Sequence, residues 1–253
     1  MRKFIFLCLL LFSISIAASS QIVNTESARM QSDTVGWLGG AGLAFSLNQN
    51  KETIFGLDAE AHFQYKTSND KGLWLLLGNY GFLRVGKDDH ISNQFIHFRY
   101  NRKVNDWLRW EFFTQFQNNA VTQIDSRFLF GTGPRYKIIK TKYFRLYAAT
   151  LFMYEREREK TIPVVLHNDI RNSDYVSFTW TPKENIELIS TTFFQPLLKK
   201  LSDYRILNQA ALKVKGTKHF SLSLKWNYLH DRFPAGEAPR TTYSFATGLD
   251  FEL

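Results

Sequence analysis

Cysteine is nearly missing from this chain, with one in 253 residues, so no disulfide framework can form. Acidic residues are in deficit, 23 against 32 Lys and Arg. The resulting formal charge of +9 leaves nucleic acid or an acidic membrane surface open as partners. Strongly apolar helical spans are lacking as well. Mean hydropathy lies just below zero, which excludes a polytopic helical membrane protein. What the chain has instead is rings. Its 23 Phe, 11 Tyr and 6 Trp can bury a large apolar surface, so the composition also excludes disorder. The length fits one large domain or two small ones.

Residues 1–20 read as a secretory signal peptide. Arg2 and Lys3 come first, Phe4 to Ile16 form an apolar run, and Ala17-Ala18-Ser19-Ser20 supply small residues, with cleavage expected after Ser20. The run is too short to span a bilayer. Cys8 sits inside it, which rules out lipid attachment there, and residues 21–253 contain no cysteine. Loss of Arg2 and Lys3 lowers the charge to about +7. Export also argues against a nucleic-acid partner. Residues 21–35 then form a periplasmic N-terminal segment, and 36–253 a single domain.

That domain alternates with a period of two. Leu57, Ala59, Ala61, Phe63 and Tyr65 fall on one face, and Asp58, Glu60, His62 and Gln64 on the other. Leu108, Trp110, Phe112 and Phe116 alternate with Arg109, Glu111, Gln115 and Gln117 in the same way. Twelve such segments are predicted, near 36–47, 53–66, 72–86, 92–103, 107–119, 126–138, 143–156, 173–182, 185–195, 203–214, 218–230 and 240–252. Leu73 to Leu77 is apolar on both faces, and 196–203 reads as a short helix or a loop. The charged run Glu155–Lys160 reads as strand continuing past a membrane.

Connections alternate short and long. Ser68–Lys71, Val104–Asp106, Ile139–Lys142, Lys183-Glu184 and Lys215–Thr217 are short, whereas Glu157–Asn172 and Asp231–Pro239 are the long ones. Long segments, an even number of them and asymmetric connections predict an all-β transmembrane antiparallel barrel of about 12 strands, outer-membrane type, with short turns toward the periplasm. A soluble β-sandwich or lipocalin-like barrel would also alternate but would turn the apolar face inward. Trp37, Trp74, Trp107 and Trp180 fall at the periplasmic ends, where an interfacial belt belongs. Tyr243, Phe245, Leu249, Phe251 and Leu253 share one face of the last strand. Outer-membrane lipid, lipopolysaccharide and the barrel-assembly machinery are therefore the expected partners.

An apolar face turned to lipid leaves the polar face for the lumen. The expected lining is Asp58, Glu60, His62, His97, Arg99, Arg109, Glu111, Gln115, Arg127, Gly131, Gly133 and Arg135, joined by Arg145, Glu187, Arg205, Lys213 and Lys225. Charges of both signs in a narrow barrel can pair and brace it, or can line a narrow basic conduit for a small solute. Gly131 and Gly133 form a notch with room for Arg109 or Gln115, and Pro134 should bulge or break the ladder.

The strand Glu111-Phe-Phe-Thr-Gln115-Phe-Gln117, followed by Arg127-x-Leu129-x-Gly131-x-Gly133-x-Arg135-Tyr136, resembles the YdiY-like salt-induced outer-membrane protein family, a domain of unknown function. Arg171-x-Ser173-x-Tyr175 is similar to a second family element. Asn24-x-Glu26-x-x-Arg29 with Asp33 resembles its bacteroidetes-type branch. The resemblance implies an outer-membrane barrel and brings no activity, cofactor or catalytic residue with it.

An enzyme of the outer-membrane lipid hydrolase kind, a phospholipase or lipid A deacylase, is the alternative to a structural envelope role or a conduit. It would need an activated Ser or a His with a carboxylate partner. The candidates are His167 with Asp169, His230 with Asp231, and Ser173, with both His residues expected in external loops. No Gly-x-Ser-x-Gly elbow, His-Glu-x-x-His pattern or phosphate-cradling glycine loop occurs, so no metal or cofactor is expected. Asp88-Asp89-His90 reads as a polar loop.

Overall fold

The computed structural model describes residues 35–49, 53–86, 89–217 and 220–251. Twelve strands run along the chain: β1 (Gly36–Gln49), β2 (Thr53–Lys66), β3 (Gly72–Val85), β4 (Asp89–Lys103), β5 (Leu108–Asn119), β6 (Ile124–Lys140), β7 (Phe144–Glu159), β8 (Leu166–Lys183), β9 (Ile186–Leu197), β10 (Lys200–Lys215), β11 (Phe220–Asp231) and β12 (Thr241–Phe251). Each pairs with its sequence neighbour in one 12-stranded sheet, and every pair is antiparallel. The sheet curls into a barrel of the outer-membrane type. Its two ends approach: Lys225 Nζ on β11 lies 3.5 Å from Glu60 Oε1 on β2.

Period-two alternation is why the sheet has two unlike faces. On β7 the outward residues include Phe152, Tyr154, Arg156 and Arg158, all exposed, while Leu151, Met153, Glu155 and Glu157 between them are buried. Large apolar side chains cover the outside, among them Leu43, Phe45, Ile96, Phe130, Phe152 and Phe245. An aromatic belt circles the short-turn end. Trp37 packs on Tyr65 at 4.8 Å, Trp74 on Tyr100 at 4.0 Å, and Trp107 on Tyr136 at 6.0 Å. A few polar groups also face outward, and they satisfy one another. Asn172 donates to Asp174 at 2.7 Å, and Asn208 to Thr192 at 2.8 Å.

Several expectations need correction. The long connection at 157–172 is mostly strand, since β7 runs to Glu159 and β8 starts at Leu166. Its inward carboxylates find partners of opposite charge or hydrogen-bonding partners, Glu157 in Arg127 and Arg205, Glu159 in His167 and Asp169 in Lys199, so the ladder continues where composition alone reads as loop. Residues 196–203 form neither helix nor loop but a tight hairpin between β9 and β10. Of the two outcomes expected at Pro134, the break occurs and the bulge does not: pairing to β7 skips Gly133 and Pro134 and resumes in the same register, and the register shifts lie at Ile124/Ser126 and Lys137/Ile139. The apolar residues do not all turn outward. Phe113, Leu129, Ala149, Leu151, Met153 and Tyr175 form a core cluster inside the barrel, and Leu75, Leu77 and Phe95 a second. The two-faced apolar character of Leu73–Leu77 thus has a structural reason. Leu73, Leu75 and Leu77 are buried inward while Trp74 and Leu76 are exposed outward.

Residues 1–34, with the predicted signal peptide, cleavage point and most of the N-terminal segment, lie outside the described residues, as do the side chains of Asp89, His90, Leu249, Asp250 and Phe251.

Candidate functional site

The barrel interior is built in layers along β4–β10. Toward the short turns, Glu111 on β5 is fully buried and accepts hydrogen bonds from Tyr175 Oη at 2.6 Å and Arg135 Nη1 at 3.2 Å. Arg99 Nη1 stands 3.9 Å from the same carboxylate. The Arg135 guanidinium also lies 4.2 Å over the Tyr147 ring. Gly131 and Gly133 permit this packing, though not for the side chains expected. A Cβ on Gly131 would stand 2.2 Å from Phe113 Cε1, and one on Gly133 would stand 2.2 Å from the Thr150 carbonyl oxygen. The notch therefore admits Phe113 and the β7 backbone, not Arg109 or Gln115.

The apolar core cluster forms the middle layer. Toward the opposite end a second charged layer begins. Glu155 accepts from Arg171 Nε at 3.2 Å and from Arg205 Nη1 at 2.6 Å. Arg205 Nε also donates to Asp231 at 2.6 Å, Arg171 Nη1 to Asp203 at 3.0 Å, and Arg127 pairs with Glu157. Each buried charge has a partner of opposite sign, which is the condition for keeping it in a confined interior.

The β11–β12 connection, residues 232–240, folds over this end. Ala235 and Ala238 are buried, and Glu237 N donates to Gln123 Oε1 in the β5–β6 turn at 3.1 Å. Gly236, at φ +49°, makes the closest approach, since a Cβ there would stand 2.2 Å from Gln123 Oε1 and 2.8 Å from Thr161 Cγ2. Beneath this roof lies a chamber of about 110 Å³ lined from β4 to β11.

The wall opposite is thin. Gly40 and Gly42 on β1, Ser221 and Ser223 on β11, and Ser244, Ala246 and Gly248 on β12 share the inward side with Glu60 and Lys225 through their pairings. Asp58 and Glu60 are exposed there although they face inward, with the Glu60 side chain 54 % accessible. The contrast with fully buried Glu111 across the barrel is sharp. One side of the lumen is packed, and on the other the inward carboxylates are exposed.

Of the expected lining residues, Asp58, Glu60 and His62 stand on the thin wall, and His97, Arg99, Arg109, Glu111, Gln115, Arg127, Gly131, Gly133 and Arg135 on the solid one. The hydrolase candidates are not brought together, and neither His lies in a loop. His167 on β8 pairs with Glu159 at 2.7 Å, while Asp169 pairs with Lys199 at 2.5 Å. His230 meets Thr241 at 2.9 Å, whereas Asp231, its neighbour on the alternate face, is held by Arg205. Ser173 accepts from Gln195 Nε2 at 3.1 Å. Among the described residues no group of three or more His, Cys, Asp or Glu could hold a metal.

The sequence reading missed the inward apolar cluster and the roof. Phe113 was legible as the break in its own strand's alternation, between inward Glu111 and Gln115. No local pattern marks residues 232–240 as folding inward.

Among solved structures the barrel is similar to one described as "NanC porin structure in rhombohedral crystal form". The TM-score is 0.52 at 11% identity, over 86% of this chain and 99% of that one, which is a likeness of fold. No curated protein matches the chain. The family model described as "Protein of unknown function, DUF481" matches residues 44–252, so the chain belongs to that family.

Proposed function

We propose that the protein resides in the outer membrane and passes a small solute along a narrow, off-centre path beside the thin wall, the solid wall serving as its brace. The observation that carries this reading is the exposure of inward-facing Asp58 and Glu60 while Glu111 is fully buried opposite. Carboxylates facing a packed interior would be buried, as Glu111 is; these two are exposed. The apolar outer face and aromatic belt support placement in lipid, with the short turns toward the periplasm.

Planar bilayers test the path. The purified full chain should give small stepwise currents, and the Asp58→Asn/Glu60→Gln double variant should shift ion preference toward anions. Protein inserted in the bilayer without current steps would leave only the envelope-bracing role. Nothing in the geometry favours the lipid hydrolase, whose His and Asp candidates are held by separate partners.

A further inference from the structure

The roofed chamber carries a property that the thin-wall path does not use. Its charged lining is self-neutralised: Arg99, Arg127 and Arg205 face Glu155, Glu157 and Asp231, three against three. Five of these six engage in ion pairs within the charged layer beneath the roof, and Arg99 lies near Glu111. An ionic ligand would have to break those pairs in a confined place. The groups left to bind are neutral ones, carboxamides together with the Thr122 hydroxyl, which is buried without a partner among the described residues. Gln209 is 2 % exposed, lines the chamber, and its side chain makes no hydrogen bond among the described residues. A buried amide without a partner is costly unless something in the cavity meets it.

A second amide is oriented by a chain of hydrogen bonds. Arg99 Nε donates to His97 Nε2 at 3.2 Å, which leaves the ring proton on Nδ1. That proton goes to Gln115 Oε1 at 2.9 Å, and Gln115 Nε2 donates to Gln117 Oε1 at 2.6 Å. The chain ends with the Gln117 amide nitrogen as a donor at the chamber wall. Phe113 and Phe193 line the same space, with the Phe193 ring tilted at 50° against Tyr175, centroids 5.2 Å apart. Rings beside donors and acceptors suit a ligand with an apolar face and a hydroxylated edge. At ~10–15 Å³ per enclosed water, the chamber holds the equivalent of about seven to eleven waters, the space of a single ring of about a dozen heavy atoms.

We propose that this chamber is a binding site for an uncharged, hydroxyl-rich ring of monosaccharide size, held by Gln117 and Gln209 against Phe113 and Phe193. The site does not depend on conduction, so binding without current would remove the conduit and keep the site.

The test is saturation-transfer NMR on the refolded full chain in detergent, with D-glucose, D-galactose, D-mannose and N-acetyl-D-glucosamine as probes and D-glucuronate as the charged control. Saturable transfer is expected for at least one neutral sugar and not for glucuronate. Gln209→Ala should weaken it about three- to tenfold, as loss of one buried hydrogen bond does. Gln117→Ala should act alike, and Arg156→Gln on the outer face should leave the transfer unchanged. Heat-modifiable gel migration confirms that each variant is folded. The inference is overturned by saturable transfer from none of the four, by binding indifferent to both glutamine variants, or by preference for glucuronate.

Discussion

Glu111 decides the stability of the solid wall. It is the common counter-charge for Arg135 and Arg99 and the acceptor for Tyr175, on β6, β4 and β8. Glu111→Gln keeps the shape and removes the charge, leaving two buried guanidiniums facing a neutral amide. The expected loss is about 3–5 kcal/mol, the usual result of breaking a buried pair from one side. It is read as a lower temperature for the folded-to-unfolded gel shift; an unchanged transition would show that the pair is not held in a dry interior. Gly133 sets a second limit. A methyl there meets β7 backbone, 2.2 Å from Thr150 O and 2.7 Å from Leu151 Cα, and neither can swing away. Gly131→Ala meets only the tip of Phe113. Gly133→Ala should therefore cost more than Gly131→Ala, by about 1–3 kcal/mol of overpacking strain. Equal urea midpoints would contradict this.

The short turns carry a pH signature. Burial pushes the Asp70 carboxyl up, but the hydrogen bond and charge of Lys66, then Arg109 and Lys103, outweigh it and hold it below the ordinary value. The hydrogen bond from Lys103 at 2.9 Å does the same for Asp106. A carboxyl lowered in the fold stabilises above its unfolded pKa of about 3.9 and loses that contribution as pH falls through the folded value. Asp70→Asn should thus be slightly less stable than the parent at pH 7, and the gap should close below about pH 4. A gap that widens in acid would reverse the sign.

At the scale of elements, the roof is the part most open to change. Residues 232–240 rest on Gln123 and come close to Thr161, with Gly236 at the closest approach. Gly236→Ala collides there and should lift the loop. Arg232 and Arg240 flank it and are exposed, so trypsin reports the lift directly. Faster cleavage at these sites is expected in the variant, with the rest of the barrel resistant; equal rates would mean the loop accommodates the methyl in place.

This scale also shows what a sequence can and cannot give. Segments such as 57–65 and 108–117 were legible because a strand writes its two faces into alternate residues. Glu155–Glu159 was legible as strand from its alternating charge, but the loop expected from Glu157 begins only after Glu159 and ends before Leu166. The partners that stabilise the extension, Arg127 and Arg205, are 28 and 50 positions from Glu155 in sequence. Lumen-facing charges could be named from parity, yet parity does not say which are buried. Asp58 and Glu111 look alike in sequence and differ because Gly40, Gly42 and Ser223 leave one wall thin while Phe113, Leu151 and Tyr175 fill the other. The separation of His230 from Asp231 was available from alternation alone, since adjacent strand residues point to opposite faces.

For the whole molecule, the abundance of rings in a chain of ordinary hydropathy has two destinations. Phe45, Phe130, Phe152 and Phe245 cover the outside, and Phe95, Phe113 and Tyr175 fill the inside. The average hides both because a charged lumen face is interleaved with them. Inside the barrel the arginines are matched by carboxylates, so these buried pairs add nothing to the net basic charge.

The central claim is this division between a lipid-facing exterior and a lumen that is wet along one wall. Residues 21–253 contain no cysteine, so single cysteines can be placed at will. Labelling of Leu43→Cys, Phe152→Cys, Glu60→Cys and Leu151→Cys by a membrane-impermeant maleimide, in protein reconstituted into liposomes, tests the division directly. Glu60→Cys should react, whereas Leu43→Cys and Phe152→Cys should be shielded by lipid and Leu151→Cys by packing. Rapid labelling at Leu43 and Phe152 with protection at Glu60 would contradict the account.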